Sequence, residues 1–473
     1  MLRHFEQVLL SLADRGHTVR IASTARSAKA PRPAALESHC NISFLTGPEG
    51  RSDHWKERIT ELRALRDYLR YLDPRFNDAP KLRTRAARKL ANLITHGERG
   101  HLIARCPRCH ERLADDEVGR MFHAFRQTGL NHLTSLFASM EEAVPSDQGL
   151  ETFLREERPD VLLLTPLIKI GSRQPDYVKS ARALGVPVVF PVFSWDNLST
   201  KGLVHVLPDR VLVWNEHQRR EAIEMHGVPD ERIVVTGAPR FDDFFAMQPQ
   251  MSRGEFCDAH GFDADRPIVM YLCSSEFVAH NKWVKGGREV DFVRRWIGEL
   301  RQDPALRSCN ILIRPHPRER GQWMGFEPPP HVAVSLPQGM NADPSFFEGL
   351  HHSAVAVGLN TSAQLEAGIA GRPVLTVLVP EFAGGQQGTL HFAYLLKEHG
   401  GFVELASDME SHRRQLAAAV AGEYDAGTIR AFIEQFLRPH GLDRPATPIM
   451  VEAIEALSVQ TAAKAATGGR VTS

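Results

Sequence analysis

The sequence predicts an α/β protein with two doubly wound parallel sheets and a helical insertion in the first of them. Three observations support this prediction. Short apolar, β-branched runs alternate with longer helical patterns, as in parallel α/β structure. The length of 473 residues exceeds one ordinary core and fits two domains of common size. Between about 51 and 150 the strand runs stop, and helical spacing such as that of Leu62, Leu65, Leu69 and Leu72 replaces them.

Each half of the chain contains six candidate strands. Those of the first half are Thr18–Ser23, Ile42–Leu45, Val161–Thr165, Val186–Phe193, Arg210–Trp214 and Arg232–Gly237. Those of the second half are Pro267–Cys273, Asn310–Arg314, His331–Ser335, Ala354–Leu359, Pro373–Val379 and Gly401–Leu405. A helical stretch and a turn at 240–266 separate the two sets. We therefore expect one domain at 1–239, a second at 240–445, and a C-terminal helix with a frayed tail at 446–473.

Composition and charge exclude several classes of function. The formal net charge is zero, so the whole molecule has no electrostatic footprint for nucleic acid. The sequence has no apolar run near the roughly 20 residues that cross a bilayer, and its start lacks the cleavage site of a secretory signal. Six cysteines in a chain of this length do not form a disulfide framework. These features predict a cytoplasmic protein.

The insertion has a local positive bias. Between Lys56 and Arg112 basic residues outnumber acidic ones about two to one. The densest run contains Lys81, Arg83, Arg85 and Arg88. One interpretation is a set of solvated helix faces. The other is a basic face that contacts anionic lipid at the membrane periphery or a polyanionic acceptor.

The strongest motif of the second half is a strand followed by a polar turn and a helix. The predicted strand ends at Leu359, and Asn360, Thr361 or Ser362 can cap the next helix, whose first amides then face a phosphate. Glu366 lies about one turn inside, where a carboxylate can bind both hydroxyls of a ribose. The alternative is an ordinary capped helix with an exposed glutamate.

Two other strands of this half end in side chains that suit a diphosphate. Arg314 is the last residue of one predicted strand, and His316 follows it in a loop fixed by prolines on both sides of the histidine. Ser274 and Ser275 follow the first strand of this half. Because ligands of open α/β sheets bind at the carboxyl edge, we expect these four residues in one site. A surface histidine is the alternative for His316.

The order of these motifs resembles the nucleotide-binding half of GT-B glycosyltransferases. The order is a strand then Ser-Ser, a strand then Arg-Pro-His-Pro, and a strand then Asn-Thr-Ser-x-x-x-Glu-Ala with Gly-Arg-Pro. The run 234–242 is similar to the crossing between the two domains of those enzymes, and 5–19 to their first helix and second strand. The branch it resembles includes UDP-N-acetylglucosamine 2-epimerases, CDP-glycerol glycerophosphotransferases and capsule sugar transferases. The resemblance implies two Rossmann-like GT-B domains and a nucleotide-sugar donor.

The resemblance also implies roles for the motif residues. Glu366 would bind the donor ribose, and Thr361 and Ser362 would cap the diphosphate. Arg314 and His316 would neutralise the diphosphate, which makes His316 a catalytic candidate. Ser274, Ser275 and Asn360 would complete the donor site.

The run 384–391 has the glycine content of a substrate loop. Its polar residues Gln387, Thr389 and His391 are therefore substrate-contact candidates. A flexible surface loop is the other interpretation.

The loop Phe193–Gly202 of the first half is the candidate acceptor site. It follows a buried strand and contains Trp195, Asp196, Asn197 and Lys201. Asp196 could accept a proton from an attacking hydroxyl, Trp195 could stack on a sugar, and Lys201 could contact phosphate. A polar turn that caps the next helix is the alternative.

The first domain departs from the family pattern at its start. GT-B proteins begin with a strand and a glycine-rich loop, whereas this sequence begins at the helix. The missing strand would lie centrally in the first sheet. Either the start is truncated or another segment takes its place, and the acceptor-side residues stay open.

The sequence predicts neither a metal nor a cofactor. Asp263 and Asp265 have the spacing of a metal-binding DxD motif, but they precede a strand and are predicted to form a turn. Cys106 and Cys109 have no second such pair. A metal-independent site, in which a helix dipole and basic side chains stabilise the leaving diphosphate, fits better.

These observations predict a GT-B glycosyltransferase that moves a sugar from a nucleotide donor to a hydroxyl acceptor. The expected acceptor is a saccharide or a lipid-linked sugar in surface polysaccharide or glycolipid synthesis. Three alternatives stay open: a CDP-glycerol-type phosphotransferase, a UDP-sugar 2-epimerase, and an inactive protein that binds nucleotide-sugars.

Overall fold

The computed structural model describes residues 2–24, 31–96, 127–281, 287–337 and 343–468. The chain divides into two compact units, Met1–Arg240 with Phe436–Ser473, and Phe241–Gln435. The sequence places the end of the second domain at 445, whereas the structure returns to the first unit at Phe436. The reason is visible in backbone contacts. Asn215 donates a side-chain hydrogen bond to the Phe436 carbonyl at 2.8 Å, and the Ala238 amide donates to the Leu437 carbonyl at 2.9 Å.

The first unit contains two parallel sheets. Strands β1 (Val19–Ser23) and β2 (Ile42–Thr46) form one, and β3 (Leu162–Leu163), β4 (Val188–Pro191), β5 (Arg210–Val213) and β6 (Ile233–Val235) form the other in that order. Its first helices are α1 (Glu6–Asp14), α2 (Ala34–Ser38), α3 (Lys56–Arg70), α4 (Pro80–His96) and α5 (Gln127–Ala143). They are followed by α6 (Gln148–Glu157), α7 (Gln174–Ala183), α8 (Asn197–Thr200) and α9 (Glu216–His226).

The second unit has one six-stranded parallel sheet with the order β12-β11-β10-β7-β8-β9. Its strands are β7 (Ile268–Leu272), β8 (Asn310–Arg314), β9 (Val332–Val334), β10 (Val355–Gly358), β11 (Val374–Val377) and β12 (Val403–Ala406). Its helices are α10 (Asp242–Ala246), α11 (Arg253–His260), α12 (Glu289–Gln302), α13 (Pro344–His352), α14 (Ala363–Ile369), α15 (Leu390–Leu395), α16 (Met409–Val420) and α17 (Ala426–Leu437). The chain ends in α18 (Ala446–Gly468), part of the first unit.

The predicted fold class is confirmed. All twelve predicted runs contain a strand, and every pairing between strands is parallel. The first-unit strands form two sheets instead of one, and no strand of the described residues pairs with both β1 and β3 to join the two sheets. Helices α1 and α18 pack against the sheet that contains β4 and β5. Phe5 and Val8 pack with Met450 and Ile454 in a cluster that also contains residues of β4 and β5.

The insertion is helical, and its described parts, 51–96 and 127–150, contain no strand. Its buried face differs from the one that the leucine spacing suggests. Leu62 and Leu65 are only partly buried, whereas Arg63, Asp67 and Arg70 on the same helix are buried. These polar side chains have hydrogen-bond partners inside the first unit, which offset part of the cost of burying them. Among the helices that the structure describes, none has both the length and the hydropathy of a membrane span.

Candidate functional site

The predicted donor motifs come together at one edge of the six-stranded sheet. Strand β7 is central, β8 and β9 extend to one side, and β10 to β12 extend to the other. The winding therefore reverses between β7 and β10, and open α/β sheets bind ligands beyond the carboxyl ends of the strands at such a reversal. Ser274 follows β7, His316 follows β8, and Asn360 follows β10. The run 384–391 comes after β11.

Buried polar side chains connect the loops of this edge. The Asn360 amide donates to Ser274 Oγ at 3.4 Å, and Asn360 Nδ2 donates to the Gly385 carbonyl at 2.8 Å and to Thr389 Oγ1 at 3.3 Å. His391, which follows Thr389 closely in the sequence, is also buried. Ser274, Asn360 and Thr389 thus belong to an inner frame that holds the loops. Their burial leaves little surface for a ligand.

Gln386 is a frame residue that the sequence does not reveal. Its Oε1 accepts from the Val379 amide at 3.1 Å, and its Nε2 donates to the Val377 carbonyl at 2.9 Å. A Cβ at Gly385 would lie 2.5 Å from the carbonyl oxygen of Val278, so only glycine allows this approach. The run 384–391 is therefore a packed part of the edge, and the flexible surface loop is excluded. Gln387, the residue after Gln386 and a predicted substrate contact, is exposed.

Glu289 at the start of α12 is a second residue that the sequence analysis missed. Its two carboxylate oxygens accept from the Ser274 amide at 3.0 and 2.8 Å, and the Tyr271 hydroxyl donates to Oε1 at 3.2 Å. Burial raises the pKa of Glu289 to about 8, against the lowering effect of these hydrogen bonds. A protonatable carboxyl group thus supports the loop after β7.

Arg314 is engaged inside the second unit. Its guanidinium forms an ion pair with Asp343 and donates to Ser335 Oγ at 3.0 Å and Ser345 Oγ at 3.2 Å. It also lies over the ring of Phe346, 5.2 Å from the centroid. Burial lowers its pKa, and the charge of Asp343 acts in the opposite direction. These contacts connect the end of β8 to Ser335, Asp343 and Ser345, and Arg314 is buried, so its guanidinium offers little surface to a diphosphate.

The remaining predicted donor residues form an outer set with accessible surface. Ser275, His316, Thr361, Ser362 and Glu366 are all partly exposed. Glu366 is close enough to Arg314 to act on its pKa.

Capping of α14 differs from the prediction. Ser362 is at the N-cap position without a capping hydrogen bond from its side chain. The Ala363 amide donates to Thr361 Oγ1 at 3.4 Å, and the Thr361 amide donates to the side chain of Gln364 at 3.1 Å. The Thr361 amide therefore already has a partner within its own turn.

The exposed cations of the β8 loop lie just beyond His316. Arg318 and Arg320 are exposed, and the Arg318 amide donates to His316 Nδ1 at 3.3 Å. Arg320 lies near enough to Arg314 to lower its pKa. These two arginines are better placed than Arg314 to contact a dissolved anion.

In the first unit, polar side chains of the predicted acceptor loop contact one another. Asp196 Oδ2 forms an ion pair with Lys201 Nζ at 2.9 Å and accepts from Thr200 Oγ1 at 3.0 Å. Its Oδ1 accepts from Asn197 Nδ2 at 3.2 Å, and Asn197 is buried. The side chains of Asp196 and Lys201 keep exposed fractions of 22% and 32%. Both can therefore be reached from solvent.

Trp195 does not fit its predicted role. It is only 4% exposed and packs edge-on against Phe436, with 6.5 Å between ring centroids. Phe436 lies more than two hundred positions away in sequence, so no local pattern could reveal this contact. The indole ring belongs to the core of the first unit and has no free face for a sugar.

The basic run of the insertion is only partly exposed. Arg88 is exposed, whereas Lys81, Arg83 and Arg85 are partly buried. Arg85 donates to the Thr200 carbonyl, and burial lowers the pKa of Lys81. This distribution weakens the interpretation of the run as a continuous lipid-facing surface.

The motifs discussed for metal binding give no site among the described residues. Asp263 forms an ion pair with Arg266 at 2.8 Å and accepts from the Asp265 amide at 3.1 Å, as in the predicted turn. Within the described ranges no group of three or more His, Cys, Asp or Glu side chains could hold a metal ion. Cys106 and Cys109 lie outside the described residues.

Comparisons with known proteins give structural likenesses only. No protein-family model matches the chain, and no curated protein matches its sequence. Among solved structures, the chain is similar to WaaG, a glycosyltransferase involved in lipopolysaccharide biosynthesis. Identity is 13% over 96% of this chain and 95% of that one, with a TM-score of 0.43.

Two further likenesses cover less of the chain. The UDP-GlcNAc 2-epimerase of Methanocaldococcus jannaschii, solved with UDP-GlcNAc and UDP, is 13% identical over 65% of this chain and 78% of that one, with a TM-score of 0.41. The wall teichoic acid polymerase TagF is 16% identical over 53% of this chain and 58% of that one, with a TM-score of 0.32. At these identities and TM-scores, none of the likenesses decides a reaction.

Proposed function

We propose that this chain is a GT-B type glycosyltransferase that moves a sugar from a nucleotide donor to a hydroxyl acceptor. The observation that carries the proposal is the reversal of winding between β7 and β10. The loops after β7, β8 and β10 meet at that point, where open α/β sheets bind nucleotides. The resemblance of the sequence motifs to nucleotide-sugar enzymes supports the same choice.

The division into an inner frame and an outer set suggests how the donor binds. The frame residues Ser274, Asn360 and Gln386 hold the loops in place through buried hydrogen bonds. The partly exposed Glu366 is assigned to the ribose hydroxyls, since a carboxylate accepts both of their hydrogen bonds. Ser275 and Ser362 supply hydroxyl groups at the mouth of the site.

We assign the diphosphate to His316, Arg318 and Arg320. Charge-assisted hydrogen bonds from these groups would stabilise the charge that develops on the leaving diphosphate. Arg314 acts behind them, through its ion pair with Asp343, to fix the backbone from which they project. In this assignment the reaction is independent of a metal ion.

On the acceptor side we assign the base to Asp196. General bases must reach the proton that they remove, and the partial exposure of this carboxylate meets that requirement. Lys201 Nζ contacts Oδ2 of Asp196 at 2.9 Å and would orient the carboxylate. The proposed acceptor is a saccharide or lipid-linked sugar of a surface polysaccharide or glycolipid.

One alternative has an observation in its favour. An inactive protein that binds nucleotide-sugars agrees with the local engagement of Asp196 by Thr200 and Lys201 and with the burial of Trp195. Such a protein would bind the donor and release no nucleotide. Turnover therefore distinguishes the glycosyltransferase from the inactive binding protein, whereas affinity for the nucleotide-sugar does not.

The test is a panel of UDP-, GDP-, CMP- and CDP-linked donors, with binding measured by calorimetry and turnover by nucleotide release. We expect Glu366→Gln to weaken nucleotide binding by about 1–3 kcal/mol through the loss of a charged hydrogen-bond partner. Glu327→Gln is the matched control, because Glu327 is exposed and precedes β9, at the amino end of the sheet. Equal affinities of Glu366→Gln and wild type would remove the donor site from this edge.

A further inference from the structure

Side chains of the insertion contact the backbone of the predicted acceptor loop. We call these side chains the clamp and the segment 196–205 the clamped loop. The members of the clamp are Arg66, Asp67, Arg70 and Tyr71 at the end of α3, and Arg85 on α4. All five contact backbone atoms of the clamped loop, so the insertion determines the path of the chain there.

Arg70 makes the largest number of these contacts. Its Nη1 donates to the carbonyls of Lys201 at 2.8 Å and Gly202 at 3.0 Å, and its Nη2 donates to the carbonyl of Leu198. The last carbonyls of α8 have no partner within the helix, and buried carbonyls need one. A guanidinium supplies several donors in a fixed plane, which lysine could not reproduce.

Tyr71 and Arg85 act together on the same turn. The Tyr71 hydroxyl donates to the Lys201 carbonyl at 2.5 Å, and Arg85 donates to the Thr200 carbonyl. Arg85 also forms a side-chain hydrogen bond with Tyr71. Burial raises the pKa of Tyr71, so its hydroxyl keeps the proton that it donates. The two residues thus link α4 to α3 and both helices to the clamped loop.

Asp67 and His226 hold the clamped loop from its other side. Asp67 Oδ1 accepts from the Leu203 amide at 2.8 Å, and a Cβ at Gly202 would lie only 2.7 Å from the same oxygen. His226 Nδ1 accepts from the Val204 amide at 3.1 Å, and its Nε2 therefore bears the proton that it donates to the Leu198 carbonyl at 2.8 Å. Burial lowers the pKa of His226, which keeps the ring neutral in this tautomer.

We propose that the clamp positions Asp196 and Lys201 for the reaction, so that the insertion is part of the catalytic apparatus. This inference rests on the proposed function. The link runs through Lys201: its carbonyl accepts from Arg70 and Tyr71, and its ammonium group pairs with Asp196. Arg70, Tyr71 and Arg85 are positioning residues, since they act on the carboxylate through the backbone.

Hydrogen exchange of peptides from 196–205 tests the clamp without any activity. We expect Tyr71→Phe and Arg85→Gln each to raise the exchange rate of these peptides about tenfold, because one contact to a buried carbonyl is lost. Arg88→Gln is the matched control on α4, because Arg88 is exposed. Unfolding midpoints measured in parallel separate a local opening from a general loss of stability. Exchange equal to wild type in both variants would overturn the clamp.

Kinetics tests the positioning role. We expect Tyr71→Phe and Arg85→Gln to lower kcat about tenfold or more while the nucleotide Kd stays within twofold, since a displaced base loses its alignment. Arg85→Lys should restore part of kcat because it keeps a donor to the Thr200 carbonyl. Faster exchange with unchanged kcat would overturn the positioning role and leave the donor site intact. A wild-type protein without turnover on any donor would contradict the proposed function, and the exchange result would still decide the clamp.

Discussion

At the scale of single residues, Glu289 shows how burial changes the chemistry of a carboxyl group. Both of its oxygens accept from the Ser274 amide. Its pKa is nevertheless raised to about 8, because desolvation of the charged form exceeds the effect of the hydrogen bonds. The folded protein therefore holds a proton on Glu289 at pH values where an exposed glutamate has lost it.

This shift predicts the pH dependence of stability. Between the ordinary pKa of 4.5 and about 8 the folded state binds more protons than the unfolded state, so the contribution of Glu289 falls as pH rises. We expect the difference in unfolding free energy between wild type and Glu289→Gln to decrease by up to about 1.4 kcal/mol per pH unit across this window. Denaturant titrations at several pH values measure it. Glu327→Gln, at an exposed position, is measured in parallel as the control. A difference for Glu289→Gln that stays constant with pH would contradict the raised pKa.

Asp196 gives a second prediction at this scale. Removal of a general base lowers a rate by a factor of about 10²–10⁴. We therefore expect Asp196→Asn to reduce turnover by that order, with donor affinity within a few-fold of wild type. Asp160→Asn serves as the control, because Asp160 is exposed in the loop before β3. Near-normal turnover of Asp196→Asn would contradict this role and favour the alternative, a polar turn that caps the next helix.

The location of site residues could be predicted from the sequence, but their burial could not. Ser274, His316 and Asn360 follow strands as expected, since apolar runs show where strands end. Arg314 is covered by Asp343, and Trp195 by Phe436. These partners come from distant parts of the chain, and periodicity within one segment carries no information about them.

At the scale of elements, α3 buries charged side chains as well as apolar ones. Arg63 lies one turn before the clamp on the same helix face, and it pairs with Glu141 of α5 at 2.8 Å and with Asp176 of α7 at 2.9 Å. All three side chains are buried. The spacing of Arg63, Arg66 and Arg70 is helical, and it marks the face that packs inward. The spacing of apolar residues does not reveal such a face, because arginine is expected to face solvent.

This network predicts a large effect of one substitution. Arg63→Ala removes the cation that joins Glu141 and Asp176, and leaves Glu141 with Lys179 and Asp176 with Arg51 as more distant partners, each at 3.3 Å. Breaking a buried ion pair costs about 3–5 kcal/mol. We expect a loss of that size in the unfolding free energy of the first unit, measured by denaturant titration. Arg414→Ala is the control: Arg414 pairs with Glu410 on the surface, where both side chains are more than 70% exposed. That pair should contribute at most about 1 kcal/mol. Similar effects of the two variants would mean that the buried network adds no stability.

At the scale of the whole molecule, the first unit is built from both ends of the chain. Its strands come from the first half, whereas Phe436 and the residues after it return to it from the second unit. Helix α18 places Met450 and Ile454 in one cluster with Phe5, at the N-cap of α1, and Val189 of β4. The sequence shows that a C-terminal helix exists, because its periodicity is local. It does not show which sheet the helix covers, since both domains have the same pattern of strands.

This arrangement gives the last prediction. Met450 is fully buried, so Met450→Ala should destabilise the first unit by about 2–5 kcal/mol through lost contacts and a cavity. We expect faster hydrogen exchange in peptides of α1, β4 and β5, and unchanged exchange in peptides of β7 and β8. Nucleotide affinity should also stay unchanged, because the proposed donor site belongs to the second unit. Leu136→Ala is the control, as Leu136 is 55% exposed on α5. Faster exchange of β7 and β8 in Met450→Ala would contradict this prediction, because it would show that α18 stabilises the second unit as well as the first.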